Sequence, residues 1–293
     1  MALAERAGLG ELVAEHVRPG GECGVNAHLK VPCLVAGMAA GADSIDDMDL
    51  LRHGAMDVLF GGVRAPSTLG SHLRSYTWGN VAQLERRARI FGESGAALLL
   101  SALQAAVPAA RFHLMGHSFG CIVASAAIAG PVGSARGRRP VSTLILVQGA
   151  MSLWSFCSSI PARPERPGYF RRVMTEGLVQ GPVVTTTSVR DRAVGVFYPL
   201  GARARHQVAL APGHLPVYGG VGTFGIQGAS LQIADETLAP AGDPYDFRAG
   251  LVYNLDSDAV IAKGGGASGA HSDICHPEVA HAVWQATTAV QPG

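Results

Sequence analysis

The chain has 293 residues, 48% of them hydrophobic and 15% charged, which suffices for one large domain or two ordinary ones around a substantial core. Its 23 Lys and Arg nearly cancel its 22 Asp and Glu, so the overall charge gives no general attraction to nucleic acid or to an anionic membrane. The cysteines Cys23, Cys33, Cys121, Cys157 and Cys275 are scattered, with no Cys-x-x-Cys pair, and indicate neither a disulfide framework nor a thiolate zinc site.

The amino-terminal stretch "MALAERAGLGELVAEHV" places Glu5, Arg6, Glu11 and Glu15 where a secretory signal needs an unbroken apolar core. No later apolar run reaches the roughly 18 residues of a membrane span, so the expected location is the cytoplasm and no membrane partner is expected. Up to about Glu85 the pattern is helical. Leu9, Leu12, Val13 and His16 fall on one face, and an alanine-rich segment runs from Val35 to Ala42. Asp43 or Ser44 can cap a following helix that ends at Gly54. Pro66 and Ser67 start another helix, or a pair of helices broken at Gly79. The run "HLKVPCLVAGM" alternates weakly, but its alanine-rich sequel favours helix over strand.

After about Arg86 strand and helix signals alternate. Helical "GESGAALLLSALQAAV" leads to strand "RFHLM", helix "FGCIVASAAIA", strands "VSTLILVQGA" and "PVVTTTSV", and later strand "GLVYNL" and helix "PEVAHAVWQAT". This alternation predicts an α/β fold, a parallel sheet covered by helices. The expected division is residues 1–85, helical, and 86–293, carrying the sheet. The Gly- and Pro-rich segment 195–247 is too long for a bare connection and is expected to fold over the sheet as a lid or excursion.

Gly116-His117-Ser118-Phe119-Gly120 lies between a predicted strand and a predicted helix. In a chain with 38 Gly, about 0.3 matches to Gly-x-Ser-x-Gly are expected by chance, so the context must decide. The context is that of a nucleophile elbow. Gly116 and Gly120 are small flanks that let backbones approach, and a helix beginning at the serine aims its first N–H groups, including that of Phe119, at a developing oxyanion. His117 is adjacent and is expected to point away from Ser118, so the base must come from elsewhere. In the order serine, acid, histidine, Asp191 follows "PVVTTTSV", and His271 follows "GLVYNL" and the glycine-rich "KGGGASG". That pattern gives Ser118 as nucleophile, His271 as base and Asp191 as the acid that orients it.

Bland alternatives stand beside each assignment. Ser118 can be an inert turn residue, Asp191 can pair on the surface with Arg190 or Arg192, and His271 can cap the helix near Pro277. Asp256, Asp258 and Asp273 are rival acids. His271, His276 and His281 recur every five residues, which does not put them on one helical face, so no metal is expected. "KGGGASG" lacks the order of a phosphate loop, and no nucleotide or other cofactor is expected.

On "HLMGHSFGCIVASA", "TTTSVRDRAVGVFYPLG" and "GASGAHSDICHPEVAHAVW", the last two thirds of the chain resembles bacterial α/β-hydrolases. The resemblance implies the triad Ser118, Asp191 and His271 and an acyl substrate of small-molecule class. It also implies a second oxyanion donor from an early strand for which the chain has no room, hence an impaired enzyme. "LAERAGLGELVAEHV", "ADSIDDMDLLRHGAM" and "VRAPSTLGSHLRSYTWGNVAQLE" are similar to the amino-terminal helical region of insertion-sequence transposases of the DDE type. Together the two resemblances imply a hybrid, truncated reading frame joined between Leu84 and Arg89. Three outcomes remain open on this basis: a hydrolase, a transposase-derived fragment with weak or no DNA binding, or a fusion product with neither activity. Asp43, Asp46, Asp47 and Asp49 carry no transposase role and suit a solvated helix start. Loss of the early strands would leave "RFHLM" an apolar edge open to self-association.

Overall fold

The computed structural model describes residues 5–6, 8–42, 44–54, 56–59, 62–76, 78–131, 139–198, 215–266 and 268–289. Asp43 and residues 199–214 of the segment 195–247 therefore lie outside the described residues. The chain divides into two compact units, Met1–Val81 and Ala82–Gly293.

The first unit is helical: α1 (Leu9–His16), α2 (Ala27–Ala39), a 3-10 turn (Asp46–Arg52), α3 (Met56–Leu59) and α4 (Pro66–Arg74). Cys33, Ala36, Met48, Leu51 and Leu69 form its small core. Ser44 and Asp47 exchange hydrogen bonds at the 3-10 start, with Ser44 N and Oγ both 2.8 Å from Asp47 Oδ2, which occupies backbone donors that the turn leaves unpaired. The expected break at Gly79 is displaced. Helix α4 ends at Arg74, and Gly79 lies inside α5 (Trp78–Phe91). The run "HLKVPCLVAGM" lies wholly within α2.

The second unit is of the α/β class. After a π-helical turn (Gly92–Ala96) and α6 (Ala97–Ala106) come β1 (His113–His117), α7 (Gly120–Ala129) and β2 (Thr143–Val147). Then follow α8 (Arg171–Thr175), β3 (Val183–Thr187), a second π-helical turn (Ala193–Phe197), α9 (Val221–Phe224), β4 (Ile233–Thr237), β5 (Val252–Asp256) and α10 (Pro277–Thr288). The five strands form one all-parallel sheet in the order β1-β2-β3-β5-β4.

Both faces are covered, as a parallel sheet requires. Strand β2 shows this best, since all of Thr-Leu-Ile-Leu-Val is buried. Leu144 and Leu146 face α7, packing with Cys121, Ile122 and Ala126, while Ile145 and Val147 face α10, packing with Val279, Ala282 and Ala286. Each fully buried aliphatic side chain contributes about 1.5–3 kcal/mol through loss of contact with water. Alanines on α7 let that helix lie close to the strands.

The edge strands β1 and β4 are half exposed, with Met115 of β1 open to solvent. The segment 195–247 corrects the expectation of a lid in one respect: its residues 233–237 are a strand of the sheet. Asp235, Glu236 and Thr237 are exposed there, so β4 lacks the apolar run that marks β2.

Candidate active site

The register aligns the carboxyl ends of the strands. His117 pairs with Val147 across β1 and β2, and Thr187 pairs with Asp256 across β3 and β5. Ser118 follows β1 directly, Asp191 lies four residues beyond β3, and His271 comes from the loop between β5 and α10. The three side chains therefore follow β1, β3 and β5 on the same rim of the sheet.

Ser118 is held in the left-handed region, at φ 56°, which costs a residue with a Cβ about 1–2 kcal/mol. Neighbouring backbone fixes it there. Its N–H donates to Val147 O at 3.2 Å, and its carbonyl accepts from Cys121 N at 3.1 Å and from Ala150 N at 3.2 Å. The strained turn lifts the hydroxyl off the strand axis. Helix α7 begins at Gly120 with Phe119 as its cap, two residues later than a start at the serine. Among the described residues no acceptor takes the Phe119 N–H.

The two glycines of the motif differ. A Cβ on Gly116 would lie 2.4 Å from the Gly120 carbonyl and 2.5 Å from Cys121 N, so the position admits no side chain. At Gly120 the same Cβ would meet nothing within 4 Å. The expectation that both must be small is thus corrected, because only Gly116 faces backbone at close range.

His271 stands between the other two side chains. Its Nδ1 lies 2.8 Å from Asp191 Oδ2 and its Nε2 lies 2.8 Å from Ser118 Oγ. A carboxylate can only accept, so Nδ1 carries the proton and Nε2 presents a lone pair to the serine hydroxyl. Asp191 is fully buried, and His271 retains 13% of its side-chain exposure. The Asp191 carboxylate is solvated by protein donors: Val194 N–H reaches Oδ1 at 2.9 Å, and the Gln148 amide, assigned the orientation in which its nitrogen rather than its oxygen faces these acceptors, donates to Oδ2 and to Gly222 O, each at 2.8 Å. These bonds replace the water that burial removed.

The bland alternatives have different partners. Arg190 Nε bonds the Asp258 carbonyl at 3.2 Å and Arg192 Nη1 bonds the Gly266 carbonyl at 3.3 Å, so neither side chain holds Asp191. The cap position of α10 is taken by His276, not His271. Among the rival acids, Asp258 accepts from Val189 N at 2.8 Å, and Asp273 Oδ2 accepts from Ala262 N at 3.0 Å and Lys263 N at 2.7 Å. Asp256 is the last residue of β5, yet its side chain is spent on Asp258 N at 3.0 Å. Each rival stabilises a loop rather than an imidazole on the rim.

Two features were not legible in the sequence. Gln148 is buried with φ 45°, and its partners Asp191 and Gly222 are distant in the chain; the only local sign is a polar residue ending an apolar strand. His117 does not turn away from the site altogether. Its Nε2 lies 3.0 Å from the His271 carbonyl, and the two imidazoles are 5.0 Å apart between centroids. Burial lowers the His117 pKa below the ordinary histidine value, against the opposing effect of its bond to that carbonyl.

Among the described residues no three His, Cys, Asp or Glu side chains are grouped to hold a metal ion, and no helix is long and apolar enough to cross a membrane. No family model, curated protein or solved structure matches the chain.

Proposed function

We propose that the chain is a serine hydrolase of the α/β-hydrolase type, cleaving an ester, thioester or amide through an acyl-enzyme. The single observation that carries this reading is the imidazole of His271 bridging Ser118 Oγ and the buried carboxylate of Asp191, with 2.8 Å on each side. The strained serine at a strand-to-helix turn supports it, since such strain is kept where a side chain must be presented rather than packed.

In this reading Ser118 Oγ attacks the acyl carbon while His271 Nε2 takes its proton, and Asp191 stabilises the imidazolium. The proton then passes to the leaving group as its bond to the acyl carbon breaks. Water repeats the sequence: its oxygen bonds the acyl carbon, its proton reaches Ser118 Oγ by way of His271, and the acid is released. The Phe119 N–H, at the amino end of α7, supplies one donor to the oxyanion. Loss of a second donor typically costs about 10²–10³ in turnover, so a slow enzyme is expected.

The test is labelling with a fluorophosphonate probe followed by peptide mapping. Wild-type protein is expected to carry the adduct on Ser118, and Ser118→Ala is expected to carry none. A folded wild-type protein that stays unlabelled at Ser118 would overturn the reading.

A further inference from the structure

The loop that carries His271 is glycine-rich, with Gly264, Gly265, Gly266 and Gly269 between β5 and the histidine. Such a loop loses much conformational freedom on ordering, so its position must be set by tethers rather than by its own stiffness. Those tethers run mostly one way. Ala270 N donates to Arg190 O at 3.0 Å, and Arg192 N and Ala193 N both donate to Ser268 O at 3.1 Å, which fastens the loop to the segment bearing Asp191. Asp273 closes the loop on itself through Ala262 N and Lys263 N. Toward β1 and the nucleophile there are, among the described residues, two hydrogen bonds: the one from Ser118 Oγ to His271 Nε2, and the one from His117 Nε2 to His271 O.

These two links are not equivalent during the proposed reaction. Once Ser118 Oγ is acylated it has no proton to donate, and its bond to His271 is gone. The bond from His117 is to a backbone carbonyl and is untouched by acylation. A neutral imidazole with its proton on Nε2 makes it, and so does the cation.

We propose that His117 is a positioning residue: it holds the main chain of His271 in register with β1 while Ser118 is acylated, so that the imidazole can deliver water to the acyl carbon. This rests on the serine-hydrolase reading and sharpens it, because it assigns the residue before the nucleophile to the second half of the cycle. The structural logic is that the base is built on the same loop system as its acid, and it needs an independent tie to the strand of the nucleophile.

The experiment compares wild type, His117→Phe and His117→Gln with p-nitrophenyl acetate in a stopped-flow instrument, reading the burst as acylation and the steady state as deacylation. Phenylalanine keeps a planar ring without a donor, and glutamine places an amide N–H near the former Nε2. Loss of one buried hydrogen bond corresponds to about a tenfold effect. Deacylation in His117→Phe is expected to fall about tenfold, the burst rate less than about threefold, and His117→Gln is expected to regain most of the loss. An equal fall in both phases, no fall, or failure of a folded glutamine variant to recover would overturn the assignment. Should His117→Phe not fold, His117→Asn, whose amide is too short to reach the carbonyl, takes its place.

Hydrogen exchange on the same proteins separates this proposal from the hydrolase reading. The amides of Ala270 and Asp273 are expected to exchange about tenfold faster in the phenylalanine variant and to return toward wild type with glutamine. Unchanged exchange overturns the tether even if Ser118 is reactive. A wild type that is never labelled at Ser118, but whose loop loosens in this way, removes the chemistry and keeps the tether.

Discussion

The rim of the sheet has two halves that differ both in composition and in physics. Around β1, β2 and β3 lies the carboxylate of Asp191, which is fully buried and met by Val194 N–H, the Gln148 amide and His271. Around β3, β5 and β4 the rim opens into a cleft of about 360 Å³ whose lining includes Asp235, Glu236, Asp256 and Asp258. The acid-rich half has the more carboxylates, and the drier half has the arrangement that can orient a base. Burial with convergent donors, not the number of acids, is what makes a carboxylate a fit partner for an imidazole. With water removed from Asp191, its charge is screened less than that of an exposed carboxylate.

The widest gap between the two halves is expected in turnover. Asp191→Asn should lower the rate of p-nitrophenyl ester cleavage by about 10⁴, because the imidazole loses both its orientation and its preferred tautomer. Asp258→Asn should change that rate less than twofold, although Val189 N–H loses a charged acceptor. Equal losses in steady-state assays of the two variants would erase the distinction.

A second contrast lies within the motif itself. Gly116→Ala forces a methyl group to within 2.4 Å of the Gly120 carbonyl, and such overpacking against backbone is expected to cost about 3 kcal/mol or more. Gly120→Ala meets open space and occupies the first position of a helix, where alanine is favoured, so a change of less than about 1 kcal/mol is expected. Urea denaturation of the two variants checks both values, and a large loss for Gly120→Ala would mean that the turn is held differently.

Smaller effects refine the picture of the buried half. Gln148→Leu removes one donor from Asp191 and leaves Ser118, Asp191 and His271 in place, and it should lower turnover about tenfold, measured as kcat with the same ester. On the loop of His271, burial alone would raise the Asp273 pKa, but the amides of Lys263 and Ala262 together with His276 hold it below the ordinary carboxylate value. A folded pKa below the unfolded one gives stabilisation that is present above the unfolded value and is lost as pH falls through the folded one. Acid should therefore loosen this loop before it unfolds the sheet. Asp273→Asn should remove that early step, as followed by exchange of the Ala262 and Lys263 amides.

Much of the second unit was written in local pattern. Strand "TLILV" announces itself by an unbroken apolar run, "PEVAHAVWQAT" by helical spacing after a proline, and Ser118 by its place between strand and helix. The order serine, aspartate, histidine, each after a strand, named the three side chains that the rim brings together. The open edge at β1 follows from the absence of any earlier strand signal in the second unit.

Elsewhere the local signal was missing or misleading. Strand β4 went unread within the expected lid or excursion because Asp235 and Glu236 face solvent at an edge, where one neighbouring strand supplies the hydrogen bonds and little apolar burial is needed. The motif suggested two equivalent glycines, but only the path of the chain around the turn decides that Gly116 faces backbone and Gly120 does not.

The sequence by itself determined the α/β class, the covered faces of the sheet and the order in which Ser118, Asp191 and His271 occur, since these depend on periodicity and turn chemistry between near neighbours. The tertiary structure alone decided that Asp191 rather than Asp256 or Asp258 meets His271, that Gln148 supports Asp191, and that His117 grips the loop of His271. Those are contacts between residues 43 to 154 positions apart, and their strength comes from burial, which only the assembled fold creates.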